Sequence, residues 1–176
     1  MKKFFNVIGM LTLLAAFILP SSVLAAPIYN SSVDNFVGTL QNFGNQAGIS
    51  FQGKDYRTTS SGKVCDVYFG GRQDNRITLG LNDNNTIDNI AINFPGNSTS
   101  ENAELGGMAF GLILVTVGFN EQECNNFIEQ LNADVANKPS ALQKTYKIYC
   151  SAIQQNVNID AVFDDDSGYF LVSVAD

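Results

Sequence analysis

From Gly106 to Phe119 the chain reads Gly-Gly-Met-Ala-Phe-Gly-Leu-Ile-Leu-Val-Thr-Val-Gly-Phe, without a single charge. Polar residues bracket it, with Glu101 and Glu104 before and Asn120-Glu-Gln-Glu123 after. A bilayer span needs about 20 apolar residues, and this block is shorter. In water it can persist only as a helix buried around most of its circumference, with other elements layered against it. The rest of the chain must supply those layers.

A second apolar run, Val7 to Leu19, follows Lys2 and Lys3 and leads into Pro20-Ser-Ser-Val-Leu-Ala25. That order of basic, apolar and small residues is a bacterial-type secretory signal. The run is short for an uncleaved anchor, and no Cys follows that could carry a lipid. The expectation is a cleaved signal over 1–25 and one exported domain over 26–176, secreted or periplasmic, with no membrane span in the mature chain. Loss of Lys2 and Lys3 leaves 8 basic residues against 17 acidic, a net charge of −9. Nucleic acid and anionic lipid are repelled by such a field.

Ahead of the apolar block, Asn30-Ser-Ser32 offers an N-cap to a helix carrying Val33, Phe36, Val37, Leu40 and Phe43, ended by Gly44 and Gly48. Ile49 to Phe51 begins a short strand, and the polar stretch Gly53 to Gly62 reads as a loop. Lys63 to Phe69 alternates in strand fashion. A Gly70-to-Asn75 turn leads to Arg76–Leu81, and Asn82-Asp-Asn-Asn85 turns the chain back into Ile87–Phe94. Ser98 and Glu101 are spaced as a capping box for the apolar helix.

Asn120 and Glu123 repeat that spacing for a second helix, with Cys124, Phe127, Ile128, Leu131 and Val135 on one face, stopped by Lys138-Pro-Ser140. Strands follow at Thr145–Ile153, Val157–Phe163 and Tyr169–Val174, the last two joined at Asp164-Asp-Asp-Ser-Gly168. A shift of 82 positions lays the second three-stranded meander on the first, Ile77 on Ile159, Leu79 on Ala161 and Ile90 on Val172. A helix-plus-three-strand unit used twice would give this; so would any two hairpins of period two. The expected fold is α+β, an antiparallel sheet of six to seven strands with helices on one face.

The chain contains no His, so His-based triads and mixed Cys/His zinc sites are excluded. No nucleotide loop or catalytic constellation stands out, no cofactor or metal is indicated, and the reading is not an enzyme. Asn82 to Asp88 spaces oxygen side chains as a calcium loop does, but without its glycine and terminal Glu. A polar hairpin tip accounts for it better, and the same holds for Asp164-Asp-Asp166. Asn30-Ser-Ser32, Asn84-Asn-Thr86 and Asn97-Ser-Thr99 match a glycosylation sequon, which a bacterial-type export signal leaves unmodified.

Cys65, Cys124 and Cys150 all fall on apolar sides of their elements. In an exported chain Cys124 with Cys150 is the leading bridge, ahead of Cys65 with Cys150; three reduced, buried thiols are the alternative. On the sheet face away from the helices, alternation places Asp66, Tyr68, Thr78, Ala91, Asn93, Lys147, Tyr149, Tyr169 and Ser173. Tyr68, Tyr149 and Tyr169 are the candidate binding residues, since tyrosine offers large contact area at small entropic cost. The functional expectation is a non-enzymatic exported domain that binds an unknown protein or extracellular ligand there. The alternative is a carrier or chaperone holding an apolar molecule between helices and sheet, the glycines of the apolar helix giving it room.

Overall fold

The computed structural model describes residues 32–60, 62–95, 100–137, 142–163 and 167–175. The signal at 1–25, the Asn97-Ser-Thr99 sequon, the Ser98 cap, the Lys138-Pro-Ser140 stop and the Asp164-Asp-Asp166 tip lie outside them. Helix α1 spans Val33–Ala47, followed by β1 (Phe51–Thr59), β2 (Gly62–Phe69), β3 (Arg72–Leu81) and β4 (Ile87–Pro95). Helices α2 (Ser100–Val117) and α3 (Glu121–Asn137) come next, then β5 (Leu142–Cys150), β6 (Gln155–Phe163) and β7 (Ser167–Val174). The seven strands form one antiparallel sheet in the order β1-β2-β3-β4-β7-β6-β5.

The expected loop after Gly53 is instead strand β1, paired with β2 from Phe51↔Phe69 to Thr59↔Gly62, with a bulge between Gln52 and Asp55. Beyond Phe51 this strand is exposed almost throughout. An edge strand that reaches past the helices buries neither face, so it carries no apolar alternation. Three boundaries also move. Gly70 and Gly71, at φ 64° and 70°, make the whole turn, so β3 starts at Arg72. β5 starts at Leu142, and its turn falls at residues 151–154.

Ile90 of β4 lies opposite Val172 of β7, flanked by Asn89↔Ser173 and Ala91↔Leu171. Ile90 and Val172 are the residues that the 82-position shift equates. The antiparallel pairing places a local two-fold axis through that pair, which exchanges β4 with β7. The shift is not constant, because Leu79 pairs with Ile90 and Ile159 with Val172, which equates Leu79 with Ile159 rather than Ala161.

α2 lies over this seam, touching β4 and β7, with α1 against α2 and β1, and α3 against β5. Its Phe110 stacks on Phe170 at 3.8 Å and 7°, and Phe127 of α3 meets Phe110 edge-on at 5.7 Å. Gly106 and Gly168 approach Phe94 from the helix and from the neighbouring strand; a Cβ on either would sit 2.4 Å from its ring. Those two glycines are spaces for a phenylalanine. Cys65, Cys124 and Cys150 are all buried and carry free thiols in this structure, with no bridge between Cys124 and Cys150.

Candidate functional site

Strand alternation, read through the register, divides the sheet. Cys65, Val67, Phe69, Ile77, Leu79, Ile90, Ile92, Phe170 and Val172 are buried beneath the helices. Their alternates form the other face, and the residues assigned to it from the sequence are all there. Tyr68 lies opposite Arg76, Arg76 opposite Asn93, and Asn93 opposite Tyr169. These four residues make one row straight across β2, β3, β4 and β7, about 14 Å long at 4.7–4.9 Å per strand. The adjacent row runs Asp66, Thr78, Ala91, Leu171, Asp160, Thr145.

Tyr149 does not join them. The row meets β5 at Gln143, through Tyr169↔Val162 and Val162↔Gln143, and Tyr149 is about 20 Å further along the strand. It is 53% exposed and borders an open, polar groove of about 390 Å³ between β5 and α3, lined in part by Asn120, Gln122, Asn126 and Lys147.

Within the row, Tyr68 is held in place. The bulge leaves Gly53 at φ 79°, where a Cβ would come within 3.0 Å of the Tyr68 ring. A hydrogen bond to Asp55, aided by burial and by the charges of Asp55 and Asp66, raises the phenol's pKa. Burial, with Asp160 nearby, raises that of Tyr169 as well.

Beside Tyr68, Asp66 is 3% exposed although it points away from the core. Arg57 covers it, donating from Nε at 2.6 Å and Nη2 at 3.3 Å, and the Thr78 hydroxyl donates at 2.6 Å. Burial pushes the Asp66 pKa up, but the hydrogen bonds from Arg57 and Thr78 and the charges of Arg57 and Arg76 outweigh it and hold the carboxyl below its usual range. Asp66 is thus a fixed anion whose two oxygens are already engaged, which suits it to positioning Arg57 and not to accepting a substrate proton.

Sequence reasoning missed Arg57, which sat in the supposed loop, and Arg76, which it placed on β3 without assigning a role. Their signal was weak, since neither belongs to an apolar alternation on the side that points outward.

The thiols offer no nucleophile. Burial pushes Cys65 up to about 11 and Cys124 up to about 12, and raises Cys150, so thiolate is scarce at neutral pH. Asn82 folds the β3–β4 tip on itself, its Oδ1 accepting from the backbone N–H of Asn84 and Thr86 at 3.0 Å. That is the Asn-based hairpin chemistry expected there. Among the described residues, no group of three or more Cys, Asp or Glu is placed to hold a metal ion, and no helix is long and apolar enough to cross a membrane. Set against known protein families, curated proteins and solved structures, the chain matches none.

Proposed function

We propose that this chain is a non-enzymatic exported interaction domain that engages a partner protein with the open face of its sheet, along the row Tyr68, Arg76, Asn93, Tyr169. The observation that carries the reading is the row itself, two tyrosines bracketing an arginine and an asparagine on adjacent strands. Tyrosine and arginine are the residues that most often concentrate binding energy at protein interfaces. The Tyr68 ring packs against Gly53 of the bulge, which limits the side-chain entropy lost on contact. Export rests on the basic-then-apolar N-terminal pattern. Of the glycines on which the carrier alternative drew, Gly106 faces the Phe94 ring and Gly118 faces Ala152, contacts that core packing accounts for.

The test is capture by the immobilised protein from the exported fraction of its own source, followed by affinity measurement with the purified partner. Tyr68→Ala with Tyr169→Ala should weaken binding at least about 100-fold, the sum of two hot-spot losses, while Tyr149→Ala leaves it near the parent value. Equal binding by the folded double variant would reject the row as the site.

A further inference from the structure

Three buried thiols have no part in the proposed binding face, and two of them lie on the facing sides of one interface, that of α3 with β5. α3 runs antiparallel to β5 and is tied to it at both ends. At one end the Asp134 carboxylate accepts from Lys144 and, at 3.0 Å, from the Tyr146 hydroxyl. Between the ends, Phe127 meets the Tyr146 ring edge-on at 5.3 Å. At the other end the Glu123 carboxylate accepts the backbone N–H of Ser151 at 2.8 Å, and Asn120 Nδ2 donates to the Ser151 hydroxyl at 3.2 Å.

Cys124 is the next residue after Glu123, and Cys150 the one before Ser151. Cys124 lies on the buried face of α3 with Phe127, and Cys150 on the buried face of β5 with Tyr146 and Ile148. Both residues therefore lie on the buried faces of the α3–β5 interface, each one residue from a member of the Glu123–Ser151 clamp. Cys65 is on β2, toward the far edge of the sheet.

The geometry points to Cys124 and Cys150 as the partners of a disulfide that staples α3 to β5 when the chain meets a thiol–disulfide oxidant, with Cys65 left free. In that step the Cys124 and Cys150 S–H bonds break and one S–S bond forms. Two electrons pass to the oxidant's disulfide, which takes up both protons and leaves as two thiols. Because both sulfurs are buried, exchange proceeds while the chain folds or when the sheet edge at β5 opens.

The test is to unfold the full chain with reductant and refold it with oxidised glutathione as the oxidant. The thiols are then alkylated in denaturant and the peptides mapped by mass. The expected result is one bridge joining Cys124 to Cys150 and one alkylated thiol, Cys65, with the same bridge in Cys65→Ser. The oxidised form should melt on the order of 5–10 °C above its reduced counterpart, as a staple of this loop length predicts. Prolonged incubation of the native chain with oxidised glutathione in mild denaturant gives the same readout if refolding yields are low. Three alkylated thiols after either treatment would overturn the inference. So would a bridge that includes Cys65, or an oxidised form that melts no higher than the reduced one.

Discussion

Asp66 is the residue where stability and the proposed surface meet. Its carboxylate is sealed on an otherwise open face because Arg57 and Thr78 fold over it. Replacing it with Asn keeps the shape and removes the charge that orients Arg57, at a cost of about 2 kcal/mol for charge-assisted hydrogen bonds. The sign of the pH dependence follows from the depressed folded-state pKa. A carboxyl depressed in the folded state contributes its stabilisation above the unfolded value of about 3.9 and loses it as pH falls through the lower folded value. Urea midpoints of parent and Asp66→Asn should therefore differ by a constant amount above about pH 5 and draw together progressively as pH falls below about 4 toward the lower folded-state value. A gap that does not narrow at all as pH falls below about 4 would mean the Asn side chain disturbs packing instead. Sequence alternation placed Asp66 on the outward face but could not show it buried. Its cover comes from Arg57, on a strand whose pairing is the only sign that it is a strand.

At the scale of elements, α2 was legible because an uncharged run too short for a membrane has one fate in water, and it lies over the centre of the sheet. Its glycines were legible as close approaches but not as to what approaches them, since Phe94 is distant in sequence. Gly106→Ala adds a Cβ 2.4 Å from the Phe94 ring. Helix propensity favours Ala by about 1 kcal/mol, while overpacking costs about 1–3 kcal/mol. With three ring atoms of Phe94 within 2.6 Å of that Cβ, the steric cost wins, for a net loss of about 2 kcal/mol in chemical denaturation. Phe94→Leu placed on Gly106→Ala should recover part of the loss, although Phe94→Leu alone destabilises; additive losses would deny the contact. The start of α3 shows a motif read correctly but incompletely. Asn120 and Glu123 form the reciprocal cap, at 2.9 and 3.0 Å, and the second Glu123 oxygen reaches Ser151. Glu123→Ala should cost about 1–2 kcal/mol in the same assay, more than the exposed first-turn residue Glu121→Ala; equal effects would reduce Glu123 to a generic first-turn charge.

For the whole molecule, the decisive feature is that the two meanders share one seam. The likeness of the two meanders was visible as an 82-position shift, which holds for Ile90 and Val172 but not for Leu79 and Ile159, because moving a strand by two residues keeps every side chain on its own face. At the seam β4 pairs with β7, Ile90 opposite Val172, and each strand is paired on its other side as well, to β3 and β6. β1 is the opposite case, an edge strand bulged at Gly53 and exposed nearly along its length. Native-state hydrogen exchange separates these regimes, since edges open locally while doubly paired strands under a helix open only with the whole fold. Amides of Lys54 to Thr58 should exchange at least about 100-fold faster than those of Ile90–Ile92 and Phe170–Val172. The two seam segments should also share one opening free energy, matching that of global unfolding. If 32–95 and 100–175 were separate cooperative units, the β4 and β7 amides would report different free energies. A core in which Phe110 stacks on Phe170 while Gly106 seats Phe94 binds both strands to the same helix, so the two segments lose their protection together.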